Sequence, residues 1–448
     1  MTAAKLESYP RMESSASERP KYKHTRTAHA GRLVLLAIVA LIGFTGSFAI
    51  AEGKVKDEVI SGNTAPLVSG SAVKEAISLC TCYLQTVCKS NGQFVYTVNL
   101  QSGSQSQKYN IIRHAGAMYA LARAHDFIPD QTTTDALVRA GNFLRTNYIA
   151  PDSSSTEKTR VLAVWSEKVG TQEIPQTTLG ATGLGLVALS QQKQIAPGSA
   201  PLEDLQAMGR FLLFLQKDDG SFYSKYAVTE GGKSDAWESL YYPGETALGF
   251  LSLYQLDSSK EWLAAAEKAL LYLAKSRLSV KQVPPDCWAL IATAKLFAIS
   301  DETGIPISRE PLVHHAGQIC ESILSEQITN ASETRLNGGF DPTGRTTPTS
   351  TRLEGLLAAL EFLPKDESGL RSRVEKAVHQ GIAFLLQSQI HSGPYAGGIP
   401  GSVSGTAADG TINPIASKIR IDYVQHALCA LIAYQRLFNP VLPQKSER

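Results

Sequence analysis

Helical periodicity dominates the chain from residue 72 onward, and no run of alternating polar and apolar residues competes with it. One kind of segment is amphipathic with a charged face, and the other is rich in Ala, Gly and Leu and nearly free of charge after its first turn. The two kinds alternate along the chain. The amphipathic segments are 72–87, 133–148, 203–216, 261–277, 309–326 and 370–389, and the apolar segments begin at Ile111, Leu179, Pro243, Asp286, Ser350 and Asp422.

This alternation predicts six helical hairpins closed into a ring. A helix that is apolar on most sides must be surrounded by protein, whereas a helix with one apolar face lies at the periphery. The fold class is therefore predicted to be all-α, an (α/α)6 toroid with the apolar helices inside. Successive inner helices begin roughly 40 to 70 residues apart, which is irregular for an open solenoid of near-identical repeats. An α-solenoid is the alternative architecture.

An apolar segment precedes the helical region. Residues 33–50 carry no charge, basic residues precede them, and Ala49-Ile50-Ala51 follows. This order is typical of a secretory signal, and a helix of that length is also just long enough to anchor the chain in a bilayer. We predict an exported protein, either periplasmic or membrane-anchored with the toroid on the non-cytoplasmic side. The predicted organisation is a basic region at 1–32, a signal peptide or signal-anchor helix at 33–51, a linker at 52–70, the toroid domain at 71–440 and a tail at 441–448.

Charge and motif content restrict the functional classes. Lys plus Arg total 43 against 41 Asp plus Glu, so the chain has no large basic field for nucleic acid. It contains no P-loop, Rossmann glycine fingerprint, HExxH or GxSxG motif, and we predict neither a cofactor nor a metal site. Asp422 and His426, four residues apart, could share a metal, but two ligands do not make a site.

The six cysteines fall into two groups. Cys80, Cys82 and Cys88 lie close together on a helical segment, with a spacing that fits no zinc site. In an oxidising compartment Cys80 or Cys82 could form a disulfide with a nearby cysteine. The remaining three are expected to be small buried apolar side chains: Cys287, Cys320 and Cys429.

Two kinds of segment resemble motifs of known toroids. QKDDGSF at Gln216–Phe222 resembles the Q-x-x-D-G-S-[FW] turns that close outer helices, including those of terpene cyclases, and FLLQSQ at Phe384–Gln389 is a looser copy. IRIDYVQHALCAL from Ile421 resembles a segment near the end of glucuronyl C5-epimerases. Over residues 72–438 the chain thus resembles the (α/α)6 toroids, which include six-hairpin glycosidases and glucuronyl C5-epimerases. The cyclases' acidic DxDD motif is absent, which argues against terpene chemistry.

A closed ring brings the N-terminal turns of the inner helices to one mouth, where helix N-termini favour anionic groups. The unusual polar residues of the chain lie on or just before these turns and in the loops that precede them, and we predict that they line the mouth. The candidate catalytic residues are Glu245, Asp422, Glu354, Tyr242 and His426. The candidate substrate-binding residues are Tyr109, Arg113, His114, Trp165, Trp237, Tyr241, Asp286, Trp288, Arg352, Arg420 and Tyr423.

Several of these residues also have a structural interpretation. Asp286 and Asp422 could be N-caps, and Glu354 could belong to a capping box with Thr351. His114 and His426 could be core histidines with satisfied hydrogen bonds. The loops 149–176, 218–241 and 391–419 are predicted to overhang the mouth and to present aromatic and polar groups to a sugar, or else to be surface insertions.

These features predict an exported carbohydrate-active enzyme that acts on a polysaccharide or oligosaccharide, most simply a glycoside hydrolase with two carboxyl groups at the mouth. Glu245 and Asp422 are the first candidates for this pair, and arginines would hold acidic sugars. The alternative is a uronyl C5-epimerase or polysaccharide lyase, in which Tyr and His carry protons and Arg stabilises an enolate. Two further hypotheses are a non-catalytic glycan-binding scaffold in polysaccharide assembly or secretion, and an interaction platform whose mouth is plugged. The membrane would be a partner only through an uncleaved segment 33–50.

Overall fold

The computed structural model describes residues 68–152, 160–166, 176–228, 232–365, 369–406, 411 and 413–440. The predicted basic region, the signal or anchor segment, nearly all of the linker and the tail lie outside the described residues. Within the described ranges, no helix combines the length and the apolar character that a membrane crossing requires.

Twelve α-helices form most of the described chain, and they alternate between two layers. The outer helices are α1 (Gly70–Val87), α3 (Gln131–Tyr148), α5 (Leu202–Leu215), α7 (Lys260–Arg277), α9 (Arg309–Ser325) and α11 (Leu370–Ser388). The inner helices are α2 (Ile111–Phe127), α4 (Leu179–Ile195), α6 (Tyr242–Asp257), α8 (Cys287–Thr303), α10 (Thr346–Leu360) and α12 (Ile421–Phe438).

The inner helices form a closed ring. Each one packs against the next in sequence, and α12 packs against α2. In this order α6 lies opposite α12, and α2 lies opposite α8. The inner helices are buried on nearly all sides, as in α4 from Leu179 to Ser190, whereas outer helices bury one face. The fold is therefore the predicted all-α (α/α)6 toroid, and not an open solenoid.

Four turns at the ends of outer helices use the same device. Each contains a glycine with positive φ that lies directly against a backbone carbonyl of the outer helix on which the turn packs. A Cβ at any of these glycines would come within about 2.4 Å of that carbonyl oxygen, so only glycine fits. The glycines and the carbonyls they contact are Gly92 with Arg139, Gly220 with Lys268, Gly338 with Gln380, and Gly397 with Leu79.

A side chain one or two residues after the outer helix that precedes each turn completes the contact. It donates a hydrogen bond to a second carbonyl, three residues earlier on the same helix. Three of the donors are glutamines, and the fourth is the thiol of Cys88. The bonds run from Gln216 to Ala265 at 3.0 Å, Gln327 to Ala377 at 2.8 Å, Gln389 to Ala76 at 2.9 Å, and Cys88 to Ala136 at 3.5 Å. The motif at Gln216–Phe222 is thus one of four such turns.

Short strands occupy the connections before inner helices, which corrects the expectation of loops without regular structure. All the pairs are antiparallel: β1 with β7, β2 with β3, and a three-stranded sheet in the order β4-β5-β6. The β1–β7 pair joins the start and end of the ring, with Thr97 opposite Arg420. The strands are β1 (Thr97–Asn99), β2 (Ile149–Pro151), β3 (Leu162–Val164), β4 (Gln176–Thr178), β5 (Lys225–Ala227), β6 (Gly232–Ser234) and β7 (Lys418–Arg420).

All six cysteines are free thiols, and all but Cys82 are buried. Burial raises the pKa of the Cys80 thiol to about 12, so this group stays protonated and accepts a hydrogen bond from Gln389. Cys287, Cys320 and Cys429 occupy the apolar core, as expected.

Candidate active site

A cavity of about 750 Å³ lies at the N-terminal end of the inner helices. This volume is in the range of small-molecule and saccharide sites, and it rules out a mouth plugged by side chains. The first turns of α2, α6, α8, α10 and α12 contribute most of its wall, as the parallel arrangement of the inner helices predicts. The predicted residues that line it are Arg113, Tyr241, Tyr242, Glu245, Trp288, Arg352, Arg420, Asp422, Tyr423 and His426.

His114 and Tyr109 belong to the core rather than to the cavity wall, contrary to their prediction. His114 is completely buried, its Nδ1 lies 2.8 Å from the Tyr109 hydroxyl, and its Nε2 lies 3.0 Å from the Ala140 carbonyl. Burial lowers the pKa of His114 to about 4, so the ring is neutral. The pair joins α2 to α3, which is the structural interpretation considered above.

Asp286 also has a structural role. It is completely buried, it accepts a hydrogen bond from the Ala289 amide at the start of α8, and it forms an ion pair of 2.9 Å with Arg277 of α7. Burial raises its pKa in spite of the arginine. Asp286 is thus an N-cap and not a wall residue, but its charge acts on Glu245.

The two predicted tryptophans of the loops lie outside the wall. Trp165 donates a hydrogen bond of 3.0 Å from Nε1 to the Ala150 carbonyl and packs near Tyr226. Trp237 is half exposed, and its ring centroid lies 5.6 Å from that of Tyr242 in an edge-to-face contact. Because Tyr242 lines the cavity, Trp237 stands at its rim.

Glu245 of α6 is the most perturbed carboxyl group of the cavity. It is only 5% exposed, and Oε2 has no hydrogen-bond partner among the described residues. Gly180 of α4 makes room for it, since a Cβ there would lie 2.5 Å from this oxygen. Burial, together with the charge of Asp286, raises the pKa of Glu245 to about 8. Glu245 is therefore mainly protonated at neutral pH and can donate a proton.

Asp422, on the opposite side of the ring, is held by two arginines. Its Oδ2 lies 3.0 Å from Arg113 Nε, and Arg420 donates to both oxygens at 2.5 and 2.9 Å. The residue lies in the first turn of α12 and is not its N-cap, which is Arg420. With both oxygens engaged, Asp422 is suited to positioning two guanidinium groups at the mouth.

His426 of the wall is hydrogen-bonded to Glu354, which lies behind it. Nδ1 of His426 lies 2.6 Å from Oε1 of Glu354, which is buried. Because α10 begins at Thr346, Glu354 lies in its third turn, and the capping-box interpretation is wrong. A carboxylate at Nδ1 favours the tautomer with its proton there and a lone pair at Nε2. His426 can therefore act as a base towards the cavity, which it lines.

Two charged residues of the wall, Asp341 and Arg345, are absent from the predicted set. They lie just before α10, which begins at Thr346 and not at the predicted Ser350, in a stretch rich in Thr, Ser and Pro, which are poor helix formers. The available signal was Pro348, since proline is tolerated in the first turn of a helix.

The wall carries a cationic excess. Its guanidinium groups belong to Arg113, Arg345, Arg352 and Arg420, and its carboxyl groups to Glu245, Asp341 and Asp422. Since Glu245 is largely protonated at neutral pH, the positive charges predominate, and the helix N-termini add to them. Within the described ranges, no three His, Cys, Asp or Glu side chains cluster as metal ligands would.

No protein-family model matches the sequence, and no curated protein matches it. Solved structures match its fold at low identity. A sugar epimerase from a ruminal bacterium has a TM-score of 0.60 at 11% identity, over 82% of this chain and 98% of that chain. The cellobiose 2-epimerase of Bacillus thermoamylovorans has a TM-score of 0.58 at 13% identity, over 82% and 98%.

A glycosidase structure is also similar. An inactive variant of the α-1,6-mannanase of Salegentibacter, in complex with α-1,6-mannotriose, has a TM-score of 0.51 at 12% identity, over 81% of this chain and 98% of that chain. At such identities the similarity establishes the fold alone. The chain therefore has the (α/α)6 toroid fold that these carbohydrate-active enzymes share.

Proposed function

We propose that this chain is a carbohydrate-active enzyme that transfers protons to and from an acidic saccharide bound in the mouth of the toroid. The observation that carries the proposal is the Glu245 carboxyl group, which is buried in the cavity wall without a partner for Oε2 and has a pKa of about 8. Keeping a buried carboxyl group protonated at neutral pH costs stability, and general acids are groups whose pKa is raised in this way.

A general base is available across the ring. Glu245 is on α6 and His426 is on α12, and these helices stand on opposite sides of the cavity. Glu354 orients the imidazole and stabilises the imidazolium that forms when Nε2 takes a proton, as carboxylates do for histidine bases. An acid and a base on opposite faces of a bound sugar are what inversion of a carbon centre requires.

The arginines of the wall point to the substrate class. Asp422 holds the guanidinium groups of Arg113 and Arg420 side by side at the mouth, and Arg345 and Arg352, each with its own carboxylate partner, add two further guanidinium groups. Guanidinium groups bind carboxylates in a bidentate manner and stabilise charge that develops on them. A uronate, a sugar with a carboxylate on C5, fits this arrangement.

Uronyl C5-epimerisation therefore suits the site best. His426 takes the proton from C5, the electron pair moves into the carboxylate to form an enolate, and the arginines neutralise its charge. Glu245 then gives its proton to the other face of C5. The sugar returns to its original proton count with inverted configuration, and solvent restores the two protein groups.

Glycoside hydrolysis is the second candidate, because a protonated carboxyl group is also what a leaving glycosidic oxygen needs. Glu245 would protonate that oxygen, and an ionised carboxylate of the wall, Asp341 or Asp422, would activate water or attack the sugar. The two reactions differ in whether a bond between sugars is broken.

Incubation of the full chain with a panel of uronate-containing polysaccharides in D2O tests the proposal. An epimerase incorporates deuterium at C5 without cleavage, a hydrolase produces new reducing ends, and a lyase produces an unsaturated product that absorbs in the ultraviolet. Glu245→Gln and His426→Gln should abolish turnover while retaining binding, and Glu75→Gln, an exposed control on α1, should change neither. Binding that survives both substitutions without any turnover by the wild type would favour a scaffold.

Export is part of the same proposal. Polysaccharides are encountered mainly outside the cytoplasm, and residues 33–51 have the pattern of a signal or anchor. Fusing residues 1–70 to alkaline phosphatase, which is active only after export, tests it. Activity should appear with the natural sequence and be lost when two arginines replace residues in 33–50.

A further inference from the structure

A second cavity lies on the axis of the ring, at the end opposite the mouth. Its volume is about 260 Å³, and residues of all six inner helices line it, most of them from the C-terminal halves. We call it the lower cavity. We propose that it binds a phosphate or sulfate group, independently of the reaction at the mouth.

Three cationic side chains converge on the lower cavity from different helices. They are Arg123 of α2, Lys295 of α8 and Arg436 of α12. None of them lies within 4 Å of a carboxylate in the described part of the chain, whereas Arg277 and Arg420 each have such a partner. The proximity of Arg123 contributes to lowering the pKa of Lys295, although burial is the main cause. The cluster is therefore destabilised by mutual repulsion.

Arg123 carries the clearest sign of a missing partner. Its Nη1 donates to the Tyr119 hydroxyl at 3.3 Å, which is a long hydrogen bond. Its Nε is buried and makes no hydrogen bond to any described residue. An unpaired buried donor of a charged group is costly, and an anion in the cavity would satisfy it.

The carboxylates of the lower cavity do not balance this charge. Glu354 is engaged by His426 on the side of the mouth. Glu361, just after α10, is the other carboxylate of the wall, and burial raises its pKa in spite of the three cations. Within the wall, one available carboxylate thus faces three cations, and the charges of Asp126 and Glu302 act on Lys295 only from outside the wall.

The dipoles of the inner helices explain only part of the cluster. Helix C-termini attract cations, and Arg436 lies in the last turn of α12. Lys295, however, lies in the middle of α8, two turns before its end at Thr303. Its ammonium group is half-buried and faces the same space as the two guanidinium groups. The convergence of three cationic side chains on one cavity is typical of a binding site for an anion.

The chemistry of the wall identifies the ligand class. Guanidinium forks match the tetrahedral oxygens of phosphate or sulfate, and the lysine adds a point charge. The cavity also has an apolar side formed by Leu248, Ile291 and Ala358, with room for a small group that carries the anion. The same site could therefore take free phosphate or the phosphate of a sugar.

Calorimetric titration of the full chain with inorganic phosphate, sulfate and glucose 6-phosphate tests the proposal. We expect binding at one site that weakens at least about tenfold in Lys295→Met and in Arg436→Gln, because each substitution removes one charge-assisted hydrogen bond. Arg436 is exposed, so its substitution should leave the fold intact. Tighter binding of glucose 6-phosphate than of inorganic phosphate would identify a sugar phosphate as the ligand, and equal binding would identify the free anion.

A control at the mouth separates the two cavities. Arg345→Gln removes a cation from the mouth and should leave phosphate affinity unchanged. The proposal is overturned if the wild type does not bind these anions. It is also overturned if binding is lost in Arg345→Gln and unaffected in the two lower-cavity variants, since the anion would then occupy the mouth.

Discussion

Replacing Glu245 with glutamine should change how the stability of the protein depends on pH. The ordinary pKa of this group is 4.5, and burial raises it to about 8 in the folded state. Between these values the unfolded chain releases the proton while the folded protein keeps it. Each pH unit in this interval therefore lowers the free energy of unfolding by up to ~1.4 kcal/mol. The contribution is fully present below pH 4.5 and is lost as the pH rises through 8.

The two pKa values of Glu245 are about 3.5 pH units apart, so the free energy of unfolding of the wild type falls by at most ~5 kcal/mol across this interval. Glu245→Gln keeps the shape of the side chain but has no proton to release, so it should escape this loss. Urea denaturation at pH 5, 7 and 9 measures the effect. Between pH 5 and 9 the free energy of unfolding of the variant should rise by several kcal/mol relative to that of the wild type. The control Glu75→Gln should follow the wild type. A difference between Glu245→Gln and wild type that stays constant with pH would refute the reasoning.

Three further predictions concern single contacts. Gly220→Ala should lower the free energy of unfolding by at least about 2 kcal/mol, because φ is +95° and the new Cβ would strike a carbonyl, whereas Gly198→Ala, in open space, should be neutral by the same denaturation assay. Arg277→Met should lower the free energy of unfolding by about 3–5 kcal/mol, because it leaves the Asp286 carboxylate buried without its ion-pair partner. The double variant Arg277→Met/Asp286→Asn should recover much of this loss. His426→Gln should reduce kcat at least about 100-fold on the substrate that the panel identifies, with KM changed little; a wild-type kcat would exclude His426 as the base.

The arrangement of helices could be predicted because burial on all sides leaves a strong imprint on composition. α2 and α4 begin at the predicted residues, α6, α8 and α12 begin within one residue of them, and the alternation of apolar and amphipathic segments predicted the correct layers. α10 is the exception, since it begins four residues before its predicted start at Ser350. Thr and Pro are poor helix formers, so the sequence did not predict the first helical turn of α10. Packing in the ring overrides this local preference.

The sequence predicted which helix ends form the site, but not which side chains on those ends face the cavity. Neighbouring residues on a helix point in directions about 100° apart, so one turn serves both the core and the cavity. Arg113 faces the mouth while His114 faces α3, and Asp286 turns to Arg277 of α7. These directions depend on how each helix is rotated in the ring, and rotation is fixed by tertiary packing that no local pattern records.

The ring is closed by its two ends. α12 packs against α2, β7 pairs with β1, and the turn at Gly397 rests on α1. During synthesis the first hairpin leaves the ribosome several hundred residues before these partners exist. A nascent chain thus carries one uncovered apolar flank until almost the whole protein has been translated, and that flank is where chaperones would bind.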